Sequence, residues 1–350
     1  MAREPMIFAG GRLPPLRQTE KGELNIMRMI TYAEALNEAL REEMTKDPTM
    51  FIIGEDIAIR GGAFTITKDL YLEFPDRIID TPISENAIAG AAYGAAISGV
   101  KAVAEFMYSD FSIIGMDNIV NSAAKFRFMH GAQATVPVVF RMPGGGGRQN
   151  GAQHSQTLEA MYANFPGLKI ITPGTAEDAK GLLKSAINDE NPIVFIEHKL
   201  QYFTKGEVPD GEYFTPIGKG IIRREGSDVT VVANQMCMVK SLEAAEILKS
   251  EGISVEVIDP RTIVPLDKEL IFESVTKTGR IVVANEAPVT YSICGEIVSL
   301  VAEHCFDYLT APPLRVGAKV LPVPYNRELE SHVLPQVPDI LTAIRRVCSY

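Results

Sequence analysis

The chain is 350 residues long, 46% hydrophobic and 22% charged, an ordinary globular composition and more than one hydrophobic core usually serves, so two domains are expected. A formal net charge of -10 and a pI near 5.2 leave no basic face to neutralise phosphates, which excludes nucleic acid and anionic membrane as natural partners. The uncharged run 86–100 is too short to cross a bilayer, and Cys237, Cys294, Cys305 and Cys348 form neither a CxxC pair nor a disulfide-like spacing, so a soluble protein with buried thiols in a reducing cytoplasm is expected.

Residues 1–26 lack an apolar stretch and mix Arg3, Glu4, Arg12, Arg17, Glu20 and Lys21, so they read as neither a secretory signal nor a transit peptide. An N-terminal extension over 1–27 is expected, outside the folded unit. Beyond it the chain alternates apolar runs with helical patterns, the signature of an α/β fold with mainly parallel sheets. A capping box from Thr31 to Glu34 opens the first helix, and Leu36, Leu40 and Met44 recur at spacing four on one face. Strands are predicted at 50–53, 102–106, 136–141, 169–172 and 193–197, with helices near 86–98, 112–129, 155–164 and 176–188. A second box, Thr175 to Asp178, starts the last of these.

Gly206, Pro209, Asp210 and Gly211 break the rhythm and mark an interdomain connection at 201–216. It separates a first domain, 28–200, from a smaller α/β domain, 217–350. The second domain is predicted to hold strands at 228–233, 254–259 and 280–284, with helices near 239–250 and 267–274.

Asp80-Thr81-Pro82-Ile83-Ser84-Glu85 precedes a helix rich in Ala and Gly that backbones can approach closely. Ser84 reads as its N-cap, which puts Glu85 in the first turn, where the helix dipole favours a negative charge. Taken alone, Glu85 is a capping or solvated carboxylate. Met107 and Phe111, four apart in EFMYSDF, read alone as core packing, and Glu55 in GED as a helix cap. His154, in AQHSQ after the run Gly144 to Gly147, is the best general acid/base candidate. The glycine run is not a nucleotide fingerprint, because a third glycine and a GK[ST] are both missing. His130, His198, His304 and His332 form no metal spacing.

The runs TPISE, AEFMYSDF, NSAAKFRFMHG, VPVVFR, AQHSQ, PGLKIITP and DAKGLLKSAINDENP follow in one order at close spacing. In that order the chain resembles the beta subunits of thiamine-diphosphate-dependent 2-oxo acid dehydrogenases of the pyruvate and acetoin type, from about Arg28 onward and most densely over 80–192. The resemblance implies a pyrimidine-binding transketolase-like domain followed by a transketolase C-terminal-like domain. It implies that Glu85 hydrogen-bonds a ring nitrogen of the aminopyrimidine and promotes loss of the thiazolium proton, giving the ylide that attacks a 2-oxo acid carbonyl. Such a carboxyl must be shielded from water.

By the same resemblance Met107 and Phe111 pack on the pyrimidine, Glu55 joins a proton path between two cofactors, and His154 faces the thiazolium side. There His154 would serve proton transfer and acyl transfer to lipoate. Val138, Ala186, Ile187, Asp189 and Asn191 match positions that hold a structural potassium ion in some relatives, although Asp189 and Asn191 also suit a plain turn. Thiamine enzymes need a GDG run to anchor the diphosphate and magnesium, and this chain has none. A separate alpha subunit bringing that anchor is therefore expected, in an assembly of two alpha and two beta subunits docked on a lipoyl-bearing acyltransferase core. Alternatives are another split thiamine enzyme of the transketolase or oxo-acid oxidoreductase kind, a nucleotide-dependent protein using Gly144 to Gly147 as a phosphate loop, and a non-catalytic assembly subunit.

Overall fold

The structure, a computed structural model, describes residues 16–18 and 24–350, with side chains from Ile26 onward. The described part of the expected extension is strand: β1 (Leu16–Gln18) and β2 (Leu24–Thr31) pair antiparallel, and Met27 is buried. β2 runs into α1 (Tyr32–Lys46), which carries the expected capping box. The Glu34 N–H donates to Thr31 Oγ1 at 3.2 Å and the Thr31 N–H to Glu34 Oε2 at 2.7 Å. Leu36, Leu40 and Met44 line its buried face, as their spacing requires.

The chain then alternates β3 (Phe51–Gly54), α2 (Leu70–Glu73), β4 (Ile78–Asp80), α3 (Glu85–Ile97), β5 (Ala102–Glu105), α4 (Ala124–Met129), β6 (Val138–Gly144), α5 (Glu159–Ala163), β7 (Lys169–Ile171), α6 (Ala176–Ile187) and β8 (Ile193–His198). The helix expected over 112–129 is three pieces: a 3-10 turn at Ser109–Ile113, a π segment at Asp117–Ala123, and then α4. A Cβ on Gly115 would lie 2.9 Å from the Glu85 carbonyl oxygen, so this segment sits against the first turn of α3 where its ladder changes register. Ser84 occupies the N-cap position of α3 but makes no capping hydrogen bond, contrary to expectation. The helix expected over 155–164 starts only at Glu159, after a 3-10 turn at Ala152–His154.

The segment expected to be a plain connection contains β9 (Lys205–Pro209), which pairs antiparallel with Met27–Thr31 and stitches the connection to the first domain. The second half follows as β10 (Ile221–Arg224), β11 (Val229–Ala233), α7 (Gln235–Lys249), β12 (Val255–Asp259), β13 (Thr262–Val264), α8 (Lys268–Thr278), β14 (Ile281–Pro288), α9 (Ile293–His304), β15 (Leu314–Ala318), α10 (Arg327–Val333) and α11 (Val337–Cys348). The elements from α9 onward lie past the last expected strand.

Three sheets result, ordered β1-β2-β9, β13-β7-β8-β6-β5-β3-β4 and β10-β12-β11-β14-β15. The seven-stranded sheet is parallel apart from β13, which comes from the second half and pairs antiparallel with β7. Its strands are apolar on both faces because helices cover both. Ile52, Val103, Val139 and Phe195 face the core of α1 and α6, while Ile53, Ala104, Phe140 and Ile196 face the core of α3. Because β3, β4, β5 and β6 run parallel, the loops that follow them gather at one edge, the carboxyl edge where open α/β sheets place ligands. Among the described residues no helix is long and apolar enough to cross a membrane.

Candidate active site

Glu55 follows β3 and Glu85 opens α3 just after β4, and since β3 and β4 are parallel neighbours the two carboxylates rise from adjacent strand ends. The crossing is pinned by the Thr81 N–H, which donates to Gly54 O at 2.9 Å, and by the Ala58 N–H, which donates to Asp80 Oδ1 at 2.8 Å. Glu85 is 4% exposed and Glu55 6%. Glu55 Oε1 is buried without a hydrogen-bond partner. Burial raises the Glu55 carboxyl above its ordinary range, and the neighbouring Glu85 charge adds to it. Two buried carboxylates side by side, one with an unpartnered oxygen, suit a polar ligand able to donate to them.

Met107 lies in the loop after β5 and Phe111 in the 3-10 turn beside the first turn of α3, so they are not on one helix face. The structure brings Phe111 together with His154 and adds Tyr108. The His154 ring meets Tyr108 edge-on at 4.8 Å between centroids and Phe111 at 5.1 Å, with Tyr108 and Phe111 5.8 Å apart. His154 Nδ1 is buried without a partner. Asp110 ties the two segments, accepting from the Gln156 N–H at 3.2 Å and from Gln156 Nε2 at 2.9 Å. Tyr108 and Asp110 belong to the same EFMYSDF run as Met107 and Phe111, so the signal for them was present.

The run Gly144 to Gly147 is held by carboxylates of the chain itself. The Gly146 N–H donates to Glu286 Oε1 at 2.6 Å, the Gly147 N–H to Glu330 Oε1 at 2.8 Å and the Gln149 N–H to Glu330 Oε2 at 2.9 Å. These donors are the ones a phosphate would need, so the phosphate-loop alternative loses its anion site. Gly145 has φ +77, and a Cβ there would fall 2.2 Å from His198 Nε2. Burial alone would raise the Glu286 carboxyl, but His198 at 3.0 Å and the Gly146 N–H hold it at about 2 instead of the ordinary 4.5. A depressed carboxyl contributes stability above its unfolded value and loses it as pH falls through the folded one, here from about 4.5 down to about 2. Glu286→Gln is therefore expected to lower the urea-unfolding free energy by about 1–3 kcal/mol at neutral pH and to flatten its fall in acid; an unchanged acid profile would remove this assignment.

The proposed potassium positions gather at the opposite edge of the sheet. Val138 starts β6, Ala186 and Ile187 end α6, and the Val136 N–H donates to Glu190 O at 2.8 Å. The Asp189 carboxylate is already engaged. Burial would raise it, but Lys169, paired with Oδ2, and Asn191, donating to Oδ1 at 2.8 and 2.9 Å, hold it below the usual range. A cation there would rely on carbonyl oxygens. Among the described residues no group of three or more His, Cys, Asp or Glu side chains could hold a metal. All four thiols are free, and burial pushes Cys294 up to about 11, away from reactivity.

Two further groups carry little sequence signal, Arg141 as one charge in the apolar run VPVVFR and Lys199 as the last residue of the polar triplet EHK. Arg141 of β6 is buried between Glu105 of β5 and Glu197 of β8, and Lys199 follows β8 with 0% exposure. Both lie under the loops that carry Met107 and His154.

This fold and rim define a transketolase-type pyrimidine-binding domain followed by a transketolase C-terminal domain. The family model described as "Transketolase, pyrimidine binding domain" matches residues 28–205, and "Transketolase, C-terminal domain" matches 218–340. The 2-oxoisovalerate dehydrogenase subunit beta of Bacillus subtilis is 41% identical over 93% of this chain and 100% of its own length. The pyruvate dehydrogenase E1 component subunit beta-1 of Oryza sativa subsp. japonica is 46% identical over 91% and 87%, and the E1 subunit beta of Rickettsia conorii 45% over 92% and 99%. The chain belongs to the family of E1 beta subunits of 2-oxo acid dehydrogenases. A solved structure titled "Split gene transketolase, inactive beta4 tetramer" superposes with a TM-score of 0.75 at 24% identity, covering 91% of this chain and 98% of that one, a likeness of fold.

Proposed function

We propose that this chain supplies the pyrimidine-binding side of the active site of a thiamine-diphosphate-dependent 2-oxo acid dehydrogenase, oxidatively decarboxylating pyruvate or a branched-chain oxo acid, or cleaving acetoin, with acyl transfer to a lipoyl group. The observation that carries this reading is Glu85, a carboxylate buried in the first turn of α3 beside the raised carboxyl of Glu55. Thiamine diphosphate, when bound, supplies the nucleophilic carbon that attacks the substrate carbonyl. Glu85 holds a proton at a ring nitrogen of the pyrimidine, Glu55 borders it, and Met107 and Phe111 flank the ring. His154, with Nδ1 unpartnered, moves a proton on the substrate side.

The division of labour follows from what the sequence lacks. With no GDG run, the diphosphate and magnesium anchor belongs to an alpha subunit, in a complex of two alpha and two beta subunits with the active site between them. Residues 28–200 form the pyrimidine-binding unit, 201–216 the connection and 217–350 the unit for subunit contact and docking to the lipoyl-bearing acyltransferase core. A potassium ion held by carbonyls around Val138, Ala186, Ile187, Asp189 and Asn191 would brace the far edge. To test the reading, the chain is purified with its candidate alpha partner and decarboxylation is followed with an artificial electron acceptor. Thiamine-dependent turnover is expected from the pair and none from either alone; activity of the isolated chain overturns the proposal.

A further inference from the structure

The loop carrying His154 is held by a cation to which the functional reading gives no task. Lys199 is the first residue beyond β8 and is wholly buried. Its ammonium group donates to the carbonyl oxygen of His154 and lies 5.1 Å from the centre of the Tyr108 ring, against which the His154 imidazole stands edge-on. Its backbone N–H donates to Gly144 O at 3.2 Å, at the start of the same loop. Lys199 therefore fastens the loop at both ends and backs the ring beside the imidazole.

Burying an ammonium group is expensive unless other contacts offset the loss of water. Among the described residues Nζ makes one hydrogen bond, to the His154 carbonyl, and no ion pair within 4 Å. A lysine retained under such terms, where Met would pack without the penalty, calls for a reason beyond core filling. We infer that Lys199 is a positioning residue that holds the His154 imidazole in the orientation its proton transfer requires. The inference rests on the proposed role of His154.

The surroundings of Lys199 give a way to read this out. Burial lowers its pKa to about 8, partly countered by Asp110 of the 3-10 turn, Glu286 of β14 and Glu330 of α10, with Arg148 of the glycine loop lowering it further. Above about pH 8 the ammonium loses its proton, and a neutral amine is the weaker donor to the His154 carbonyl. An arginine at this position would stay charged throughout.

The test uses hydrogen–deuterium exchange of the full chain, read as protection factors over residues 151–156 between about pH 6.5 and 9.5, for wild type, Lys199→Arg and Lys199→Met. Lys199→Gln, which keeps a donor without the charge, serves if either variant misfolds. Wild-type protection is expected to fall above about pH 8, to persist in the Arg variant and to be about tenfold lower at every pH in the Met variant. With the alpha partner, Lys199→Met is expected to lower kcat about ten- to a hundredfold with KM within about twofold, and Lys199→Arg to restore most of kcat without the alkaline fall.

Protection and kcat in Lys199→Met equal to wild type overturn the inference. So does a kcat lost equally in both variants with the wild-type pH profile retained, since that is the signature of packing alone. Absence of thiamine-dependent turnover in the wild-type pair overturns the functional reading instead; the exchange data need no turnover and still decide whether Lys199 holds the loop.

Discussion

Glu85→Gln should leave the chain folded and able to assemble with its alpha partner while lowering thiamine-dependent turnover by about 10²- to 10⁴-fold, the range a positioned general acid or base supplies. The amide keeps the shape of the carboxyl and cannot hold or release the proton. Physical chemistry also fixes the effect on the isolated chain. Glu85 is buried beside Glu55, whose carboxyl is pushed up by burial and then by the Glu85 charge. Removing one of two like charges from such a pair relieves repulsion, so the melting temperature of the variant without cofactor should be unchanged or higher. A residue that merely capped α3 would behave oppositely, losing about 0.5–2 kcal/mol of stability with little change in turnover. Steady-state kinetics of the reconstituted pair and a melt of the isolated chain separate the two. Near-normal turnover would falsify the role given to Glu85.

The fold was legible wherever the pattern ran long enough to be read. The central strands of the seven-stranded sheet are mostly apolar runs because both faces are covered, and the α1 box was visible as Thr31 and Glu34 before any geometry. Three-residue strands such as β7 stood out only because PGLKIITP frames them, whereas β4 and β13 have no such frame. β9 is hidden by Gly206 and Pro209, residues that usually signal a turn but here sit on a strand paired with β2. α11 was readable from Ile340, Ile344 and Val347 and from its Gln336–Asp339 box, yet lay past the last expected element.

The candidate site divides the same way. Glu85, Met107, Phe111 and His154 came from motifs in register, whereas the contacts that organise them join distant segments. Glu330 meets Gly147 across 183 positions, and Glu286 meets His198 across 88. Local pattern carries no such information. Arg141 is a single charge in an apolar run and Lys199 ends the polar triplet Glu197-His198-Lys199, and neither pattern reveals a partner.

Arg141→Met is expected to cost about 3–5 kcal/mol of stability, more than any conservative change in the apolar core around it. Arg141 is 1% exposed, with Nη1 on Glu105 and Nε and Nη2 on the two oxygens of Glu197 at 2.5 and 2.8 Å; Tyr202 Oη donates to the same Glu197 at 2.6 Å. Burial pushes the Glu105 carboxyl up, and the Arg141 charge opposes that. Without the guanidinium, two carboxylates remain buried on the strands either side of β6 with no cation between them, and one must take up a proton. Replacing all three, as Glu105→Gln, Arg141→Met and Glu197→Gln, removes the charges together and should recover a large part of the loss, because the penalty lies in the unpaired ions rather than in missing attraction. The network sits under Met107 and the glycine loop, so the single variant should also weaken protection of residues 144–156 against hydrogen exchange while the triple variant restores it. Urea unfolding of the three proteins measures the first effect. A single-variant change under about 1 kcal/mol would mean that water reaches the network, and its bracing of the loop would then have to be abandoned.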